Sequence, residues 1–241
     1  MRIKKIIVSI LAFSMVFGLE NIKVYAISKP NISYSESITN TNKVFNPETV
    51  DRLWDELNDN LVIEPDKQSD FIRYSKSVMS VSSEPYGSYP TRKGVILVTA
   101  DKWKGVVPLG HAAIVYSDQK VIEALQDGVV IGRNDWYKSK STCFGVSVRS
   151  TTASQDAQAA DYCYEQLNKE YNYNYYNMNT RKKFYCSHLV WAAYKDLFGI
   201  DLNTPEFDIT LKVNDIPLAT VTAIHPLELV NNDLTFVTYV K

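Results

Sequence analysis

The hydrophobic pattern indicates a helix in the first third of the chain, directly after a helix-start signal. Asn46 is a residue type that caps helices, and Pro47 is favoured at the first helical position. Apolar residues then recur at i, i+3, i+4 and i+7, the spacing that places them on one face of a helix. These residues are Val50, Leu53, Trp54 and Leu57. A further helix is predicted near residues 71–81, within a polar stretch.

Between residues 94 and 149 the apolar positions form short runs that turn residues separate. Runs of this length, bounded by Gly, Asp or Ser, are typical of strands. Because they follow one another at close spacing along the chain, they predict an antiparallel sheet. The predicted strands cover residues 95–98, 112–116, 120–125, 129–131 and 144–149.

Two more helices are predicted after these strands, each from its capping residues. The first starts at Thr152, and Gln155 three residues later completes a capping box. The second starts near Cys186 and ends at Gly199, which favours the left-handed conformation of a helix cap. The predicted apolar side of the first helix consists of Ala157, Ala160, Tyr164 and Leu167.

The end of the chain contains two further apolar runs, at residues 218–224 and 234–240, which predict strands that close the sheet. No segment repeats at a fixed period, and no linker separates two compact halves. The elements from about residue 46 to 241 therefore predict one α+β domain.

The first residues have the pattern of a secretory signal peptide. Residues 1–26 combine a basic start, an apolar run too short to span a bilayer, and small residues before a cleavage site after Ala26. Residues 27–45 are polar and predict a flexible leader, residues 46–88 an N-terminal helical segment, and residues 89–241 the main domain. No other segment is apolar enough to cross a membrane, so we expect a secreted protein, extracellular or associated with the cell wall, without an integral span.

Composition narrows the candidate chemistry. The chain of 241 residues has a formal net charge of −1, which argues against a nucleic-acid partner bound through a basic face. It contains three cysteines and three histidines. Three cysteines are too few for a disulfide scaffold, although one disulfide between Cys143 and Cys163 remains an open alternative. Cys186 and His188 would point to different sides of a helix, so we predict no metal site and no cofactor. The oligomeric state stays open.

Cys186 has the strongest chemical case among the cysteines. At the start of a helix, unpaired backbone N–H groups and the helix dipole favour a thiolate, which is a nucleophile. The basic residues Arg181, Lys182 and Lys183 precede it. The structural alternative is that Cys186 is a small buried residue on the apolar face of its helix.

A cysteine nucleophile needs a base, and His111 is the candidate because it opens a predicted strand beside a loop. Glu123 interrupts the apolar run of the next strand, where a carboxylate is costly without a partner. A tight turn between the strands makes opposed residue numbers sum to about 235, which places Glu123 within about one residue of facing His111. A carboxylate there would orient the imidazole. The structural alternative is that His111 is an ordinary histidine at a sheet edge.

The other two histidines have weaker cases for a role. We place His188 on a helix flank and His225 in a turn before Pro226.

The sequence Phe-Tyr-Cys-Ser-His-Leu-Val-Trp at residues 184–191 resembles the helix start of NlpC-type papain-like cysteine hydrolases. The order His111, Glu123, Cys186 is similar to that of the circularly permuted branch, the YiiX/YebB-like hydrolases, in which the histidine comes first. The resemblance covers roughly residues 89–230. It implies a papain-like fold in which an antiparallel sheet carries His111 and Glu123 and packs against the helix headed by Cys186.

The same resemblance implies a role for a tyrosine upstream of the nucleophile. Tyr171, or its neighbour Tyr173, would help to bind the oxyanion or the substrate. The function it implies is a secreted cysteine peptidase or amidohydrolase that cleaves an amide bond, with a peptide of the cell wall as substrate partner. Two alternatives stay open: a lipid acyl hydrolase or acyltransferase on the same fold, and a non-catalytic secreted binding module.

Overall fold

The structure is a computed structural model that describes residues 41–67, 85–102 and 109–241, with Val213 described by its backbone alone. The expected signal peptide, most of the expected leader and the helix predicted near residues 71–81 lie outside these ranges. The helices are α1 (Pro47–Asn60), α2 (Trp136–Ser139), α3 (Ala153–Glu165) and α4 (Cys186–Phe198), with 3-10 turns at Pro205–Phe207 and Pro226–Leu229. The strands are β1 (Ile96–Thr99), β2 (His111–Ser117), β3 (Lys120–Leu125), β4 (Gly128–Arg133), β5 (Phe144–Val148), β6 (Glu170–Tyr171), β7 (Lys183–Phe184), β8 (Ile209–Val213), β9 (Ile216–Val221) and β10 (Thr235–Val240).

Six strands form the main sheet in the order β10-β5-β1-β2-β3-β4, and each neighbouring pair is antiparallel. Alternate residues of the strands point to opposite faces. One face, including Ile114 and Ile122, packs against α3 and α4 in the larger apolar cluster. The other face, including Val115 and Val121, forms a smaller cluster with Trp136. This arrangement confirms the predicted α+β class, a large antiparallel sheet packed against helices.

Helix α1 begins where its capping residue predicts. The Asn46 side chain accepts a hydrogen bond from the Glu48 backbone N–H at 2.8 Å, and Val50, Leu53 and Leu57 are buried. Phe45, within the expected leader, is also buried, at 1% exposure. Thr41, also within the expected leader, is buried at 6% exposure, so this end of the leader is packed in the folded domain.

Helix α3 has the predicted capping box but a different buried face. Thr152 and Gln155 each bond the backbone N–H of the other. The predicted apolar side is correct for Ala160 and Leu167, which pack in the core, but wrong for Tyr164, which is 40% exposed. The buried residues of the helix are Asp156, Ala159, Ala160 and Cys163. The reason is that Asp156 is ion-paired with Arg92 and Lys67, and these two cations make burial of its carboxylate tolerable.

Helix α4 is buried along most of its length, from Cys186 to Tyr194, and Gly199 ends it in the left-handed conformation with φ 70°. His188 is fully buried, so the expected position on a helix flank is wrong. A helix that packs on several neighbours at once has little exposed flank.

The last predicted strands have different outcomes. The run at residues 234–240 forms β10 at one edge of the main sheet, as predicted. The run at residues 218–224 does not close that sheet, because β9 pairs with β8 in a separate hairpin. That hairpin exposes Ile209, Leu211, Ile216 and Leu218.

Two further findings concern the whole described part of the chain. Cys143, Cys163 and Cys186 are all free, so the disulfide left open above is not formed. In residues 41–67, 85–102 and 109–241, no helix is both long enough and apolar enough to cross a bilayer.

Candidate active site

Cys186 is the first residue of α4, and Tyr185 before it is extended, so the chain enters the helix abruptly. Two contacts with Ile224 hold this helix start in place: Ser187 Oγ donates to the Ile224 carbonyl at 2.7 Å, and Tyr185 Oη accepts from the Ile224 N–H at 3.1 Å. The Cys186 side chain is buried within this fixed frame.

Hydrogen bonds to the sulfur favour the thiolate of Cys186. Burial raises the pKa of this thiol, but a hydrogen bond and the charge of His111 lower it, together with the backbone N–H groups of Ala112 and Ser187. The net result is a pKa below the ordinary value of 9.0. These donors favour the thiolate, which is the nucleophilic form of a cysteine.

His111 is the first residue of β2 and follows Gly110, which has a φ of 58°. A Cβ on Gly110 would lie 2.7 Å from the Thr99 carbonyl oxygen, so only glycine fits this turn without a shift. The imidazole stacks on Trp136, with ring centroids 5.4 Å apart and an interplanar angle of 27°. The strand end and the indole ring together fix the position of the imidazole.

Glu123 holds the other side of the imidazole. His111 Nε2 lies 2.6 Å from Glu123 Oε2, which leaves Nδ1 as the ring nitrogen for Cys186. Burial lowers the pKa of His111, but the hydrogen bonds to Cys186 and Glu123 outweigh it and raise the pKa to about 9. At neutral pH His111 is therefore an imidazolium, and its charge favours the thiolate of Cys186.

The strand register that brings Glu123 to His111 differs from the predicted one. Glu123 pairs with Ala113, and the register shifts between Val115 and Ser117. His111 is therefore a diagonal neighbour of Glu123, two residues along the strand from the facing position. Diagonal neighbours share one face of a sheet, and long side chains reach each other across it.

Gly132 on β4 provides the space that the Glu123 carboxylate occupies. A Cβ at Gly132 would lie 1.8 Å from Glu123 Oε1, so no larger residue fits there unless the carboxylate moves. Gly132 pairs with Val121, which lies two residues before Glu123 on β3 and therefore on the same face of the sheet.

The two tyrosines predicted near the oxyanion lie in different environments. Tyr171 is buried, and burial is the largest cause that raises the pKa of its phenol. The charge of the nearby Cys186 raises this pKa further. A phenol with a raised pKa keeps its proton and remains a hydrogen-bond donor. Tyr173 is 46% exposed and contacts the Tyr171 ring at a centroid distance of 4.9 Å.

The remaining cysteines and histidines are all buried. Burial raises the pKa of the Cys143 thiol to about 12 and that of Cys163 further. His188 Nε2 donates to the Met178 carbonyl at 3.0 Å, and burial and the Arg181 charge lower its pKa to about 3. His225 Nδ1 accepts from the Leu227 N–H. Of the three cysteines, only Cys186 has a lowered pKa.

Four residues of this site carry no signal that the sequence alone reveals. Trp136 lies on a one-turn helix without periodicity, and Gly132 is an ordinary strand glycine until its neighbour Glu123 is known. Tyr175 contacts Tyr171, and Thr41 contacts Tyr175, only through the tertiary structure. Within the described ranges, no group of three or more His, Cys, Asp or Glu side chains is arranged to hold a metal ion.

Comparisons with known proteins give one family match. A family model described as "Permuted papain-like amidase enzyme, YaeF/YiiX, C92 family" matches residues 103–230, which include His111, Glu123 and Cys186. The crystal structure of the metalloprotein yiiX from Escherichia coli O157:H7 is similar at 17% sequence identity and a TM-score of 0.45. That match covers 61% of this chain and 96% of that chain. No curated protein sequence matches the chain significantly.

Proposed function

Because the chain belongs to the permuted papain-like amidase family, whose members are cysteine hydrolases, we propose that Cys186, His111 and Glu123 form its catalytic triad. The observation that carries this proposal is the position of one imidazole between two partners. His111 Nε2 lies 2.6 Å from Glu123 Oε2, and His111 is close enough to Cys186 for each to shift the pKa of the other. Nucleophile, base and orienting acid are the three roles that acyl transfer requires.

In the acylation step, the Cys186 thiolate attacks the carbonyl carbon of an amide, and the carbonyl oxygen becomes an oxyanion. Backbone N–H groups at the start of α4, together with the Tyr171 hydroxyl, donate hydrogen bonds to that oxygen. The C–N bond then breaks, and the imidazolium of His111 gives its proton to the leaving amine. The product is a thioester on Cys186.

In the deacylation step, neutral His111 takes a proton from a water molecule as the water attacks the thioester. A second oxyanion forms in the same place, and its collapse breaks the C–S bond and releases the acid. The proton on His111 restores the imidazolium beside the Cys186 thiolate. Glu123 keeps Nδ1 aimed at the sulfur and stabilises the charged ring through both steps.

We propose a cell-wall peptide as the substrate and secretion as the route to it, with the specificity of the NlpC-type enzymes. The support is the sequence at residues 184–191, which resembles those enzymes, and the signal pattern of residues 1–26. The partly exposed Tyr173 next to Tyr171 offers an aromatic surface for a peptide or sugar. Mass spectrometry of the exported protein tests secretion, and we expect the mature chain to start at Ile27.

Digestion of purified muropeptides tests the reaction. We expect Cys186→Ala to lower the cleavage rate by at least about 10³-fold, because the nucleophile is lost while the fold stays intact. Cys143→Ala is the matched control, since it removes a free thiol whose pKa is raised, and we expect it to cleave at the wild-type rate. Equal cleavage by wild type and Cys186→Ala would exclude this reaction at Cys186.

A second candidate is hydrolysis of an acyl ester in a lipid by the same three residues. The observation that favours it is the β8–β9 hairpin, where Ile216 and Leu218 are 69% and 71% exposed. Aliphatic side chains at this exposure suit contact with acyl chains. A fluorogenic acyl ester presented in vesicles tests it, and clear peptide cleavage without ester turnover would reject it.

A further inference from the structure

We propose that Tyr175 and Thr41 are positioning residues whose hydroxyls, in a chain with that of Tyr171, direct the Tyr171 proton toward the oxyanion. This inference deepens the proposed function and rests on it, because the oxyanion forms only where Cys186 attacks a carbonyl. It also gives the chain before α1 a part in the site, although Thr41 lies outside residues 103–230, the region that the family model matches.

The three hydroxyls follow one another from the N-terminal segment to the nucleophile. Thr41 Oγ1 lies 3.4 Å from Tyr175 Oη. A hydrogen bond between the Tyr171 and Tyr175 hydroxyls raises the pKa of Tyr171 and lowers that of Tyr175, which makes Tyr171 the donor while no oxyanion is present. Both phenols are close enough to Cys186 for the thiolate charge to act on them. Thr41, Tyr171 and Tyr175 are all buried.

The Tyr175 side chain and backbone are both anchored, as a positioning role requires. Its ring makes edge contacts with Phe45 and Tyr185, each at a centroid distance of 5.1 Å. Tyr185 Oη donates to the Tyr175 carbonyl at 3.2 Å. Because Tyr185 immediately precedes Cys186, one residue ties the start of α4 to the tyrosine chain.

The direction of the chain follows from the number of protons that a hydroxyl has. Each hydroxyl donates one proton, so Tyr171 stops donating to Tyr175 when it donates to the oxyanion, and its oxygen then accepts the proton of Tyr175. An oxyanion is a stronger acceptor than a neutral phenol and draws the chain in that direction. Thr41 then donates to Tyr175, and each bond polarises the next.

Two chemical probes separate this role from a structural one. p-Nitrophenyl acetate acylates a cysteine through a tetrahedral oxyanion, whereas iodoacetamide alkylates it by displacement at a saturated carbon without one. We expect Tyr175→Phe to lower the acylation rate of Cys186 about tenfold and to leave its alkylation rate unchanged. Thr41→Val, one step further along the chain, should lower acylation about threefold.

Tyr176→Phe is the matched control on the neighbouring residue. The Tyr176 hydroxyl is buried and has no hydrogen-bond partner, so its removal should change neither rate. Mass spectrometry of the Cys186 peptide identifies the modified thiol and separates it from Cys143 and Cys163.

A double-mutant cycle tests whether Tyr175 acts through Tyr171. Tyr171→Phe should lower acylation by about 10²-fold, and Tyr175→Phe should then cause no further loss. Additive losses in the double mutant, equal losses with both probes, or no loss in Tyr175→Phe would overturn the proposed role of Tyr175. As long as Cys186 is still acylated rapidly, each of these results leaves the proposed function in place. A Cys186 that reacts with both probes no faster than a free thiol would overturn both.

Discussion

The residues around Cys186 and a second group around Asp156 both bury charged side chains, but with different partners. We refer to Cys186, His111 and Glu123 as the Cys186 cluster. The Asp156 cluster consists of Asp66, Lys67, Arg92 and Asp156. In each cluster the charges are removed from water, which is costly unless opposite charges and hydrogen bonds replace the solvent.

The Asp156 cluster satisfies its charges with several partners at once. Arg92 donates two hydrogen bonds of 2.7 Å to Asp66 and one of 2.9 Å to Asp156. Lys67 donates to Asp156 at 2.8 Å, and the Asp156 carboxylate is fully buried. A guanidinium does not give up its proton in proteins. Arg92 therefore keeps its charge, and the cluster joins the chain after α1 to α3.

The Cys186 cluster contains groups that can exchange a proton with each other. The pKa of His111 is raised to about 9 and that of Cys186 is lowered, in each case by a hydrogen bond to the other group and by its charge. The comparison teaches that burial of charge by itself indicates no function. The decisive feature is whether the buried groups titrate in the range where the protein works.

The largest expected effect that separates the two clusters is on stability. Asp156→Asn removes the charge that Lys67 and Arg92 share, and we expect it to lower the free energy of unfolding by about 3–5 kcal/mol. Urea denaturation measures this loss. The rate of Cys186 alkylation in the folded protein should not change.

Asp161→Asn, on the same helix, is the control for that prediction. Asp161 pairs with Lys93 at the surface, with its side chain 52% exposed, so we expect a loss of at most about 1 kcal/mol. Equal losses in the two variants would contradict the structural role of the Asp156 cluster.

The next effect is on catalysis and its pH dependence. Glu123→Gln removes one of the partners that raise the pKa of His111, and we expect kcat/KM to fall by about 10²-fold or more. Because the leaving amine needs the imidazolium proton, wild-type activity should decline as the pH rises through about 9. In Glu123→Gln the pKa of His111 is lower, so this decline moves to lower pH.

A pH–rate profile of both proteins measures the shift. Glu165→Gln makes the same chemical change on the exposed side of α3, and its profile should coincide with that of wild type. An unchanged alkaline decline in Glu123→Gln would show that the carboxylate does not act on His111.

The smallest of these effects tests the space beside Glu123. Gly132→Ala introduces a Cβ where Glu123 Oε1 lies, so the carboxylate must move away from His111. We expect kcat/KM to fall about tenfold, with a smaller shift of the alkaline decline in the same direction. Added to Glu123→Ala, which removes the group that the new Cβ meets, the change should have no further effect on the profile. A full additional loss would mean that Gly132 acts through another group.

Much of the fold follows from local patterns. Asn46, Thr152 and Gly199 act at helix ends as predicted, because a cap bonds backbone groups only a few residues away. The β2 and β3 strands follow from short apolar runs, and their pairing follows from the turn between them. The register shift between Val115 and Ser117 could not be predicted, because a bulge depends on how the sheet packs.

Local sequence patterns could not predict the contacts of the tyrosines. Tyr173 and Tyr175 are equivalent in the sequence, yet Tyr173 is 46% exposed and Tyr175 is 7% exposed. Burial of Tyr175 requires Phe45 and Thr41, which are more than a hundred residues away along the chain. The same holds for Asp156, since its partners Lys67 and Arg92 come from other segments.

The amino-acid sequence alone determined where the helices begin, the α+β class, and the residues with chemical capacity: a cysteine at a helix start, a histidine at a strand start and a carboxylate in an apolar strand. These features depend on neighbours along the chain, so their pattern is visible in one dimension. Only the tertiary structure decided that His111 contacts Glu123 diagonally and that Gly132 leaves space for the carboxylate. The same holds for the tyrosines that lie near Cys186. Hydrogen bonds and pKa shifts depend on distances of a few ångström between residues that are remote in sequence, and packing sets those distances.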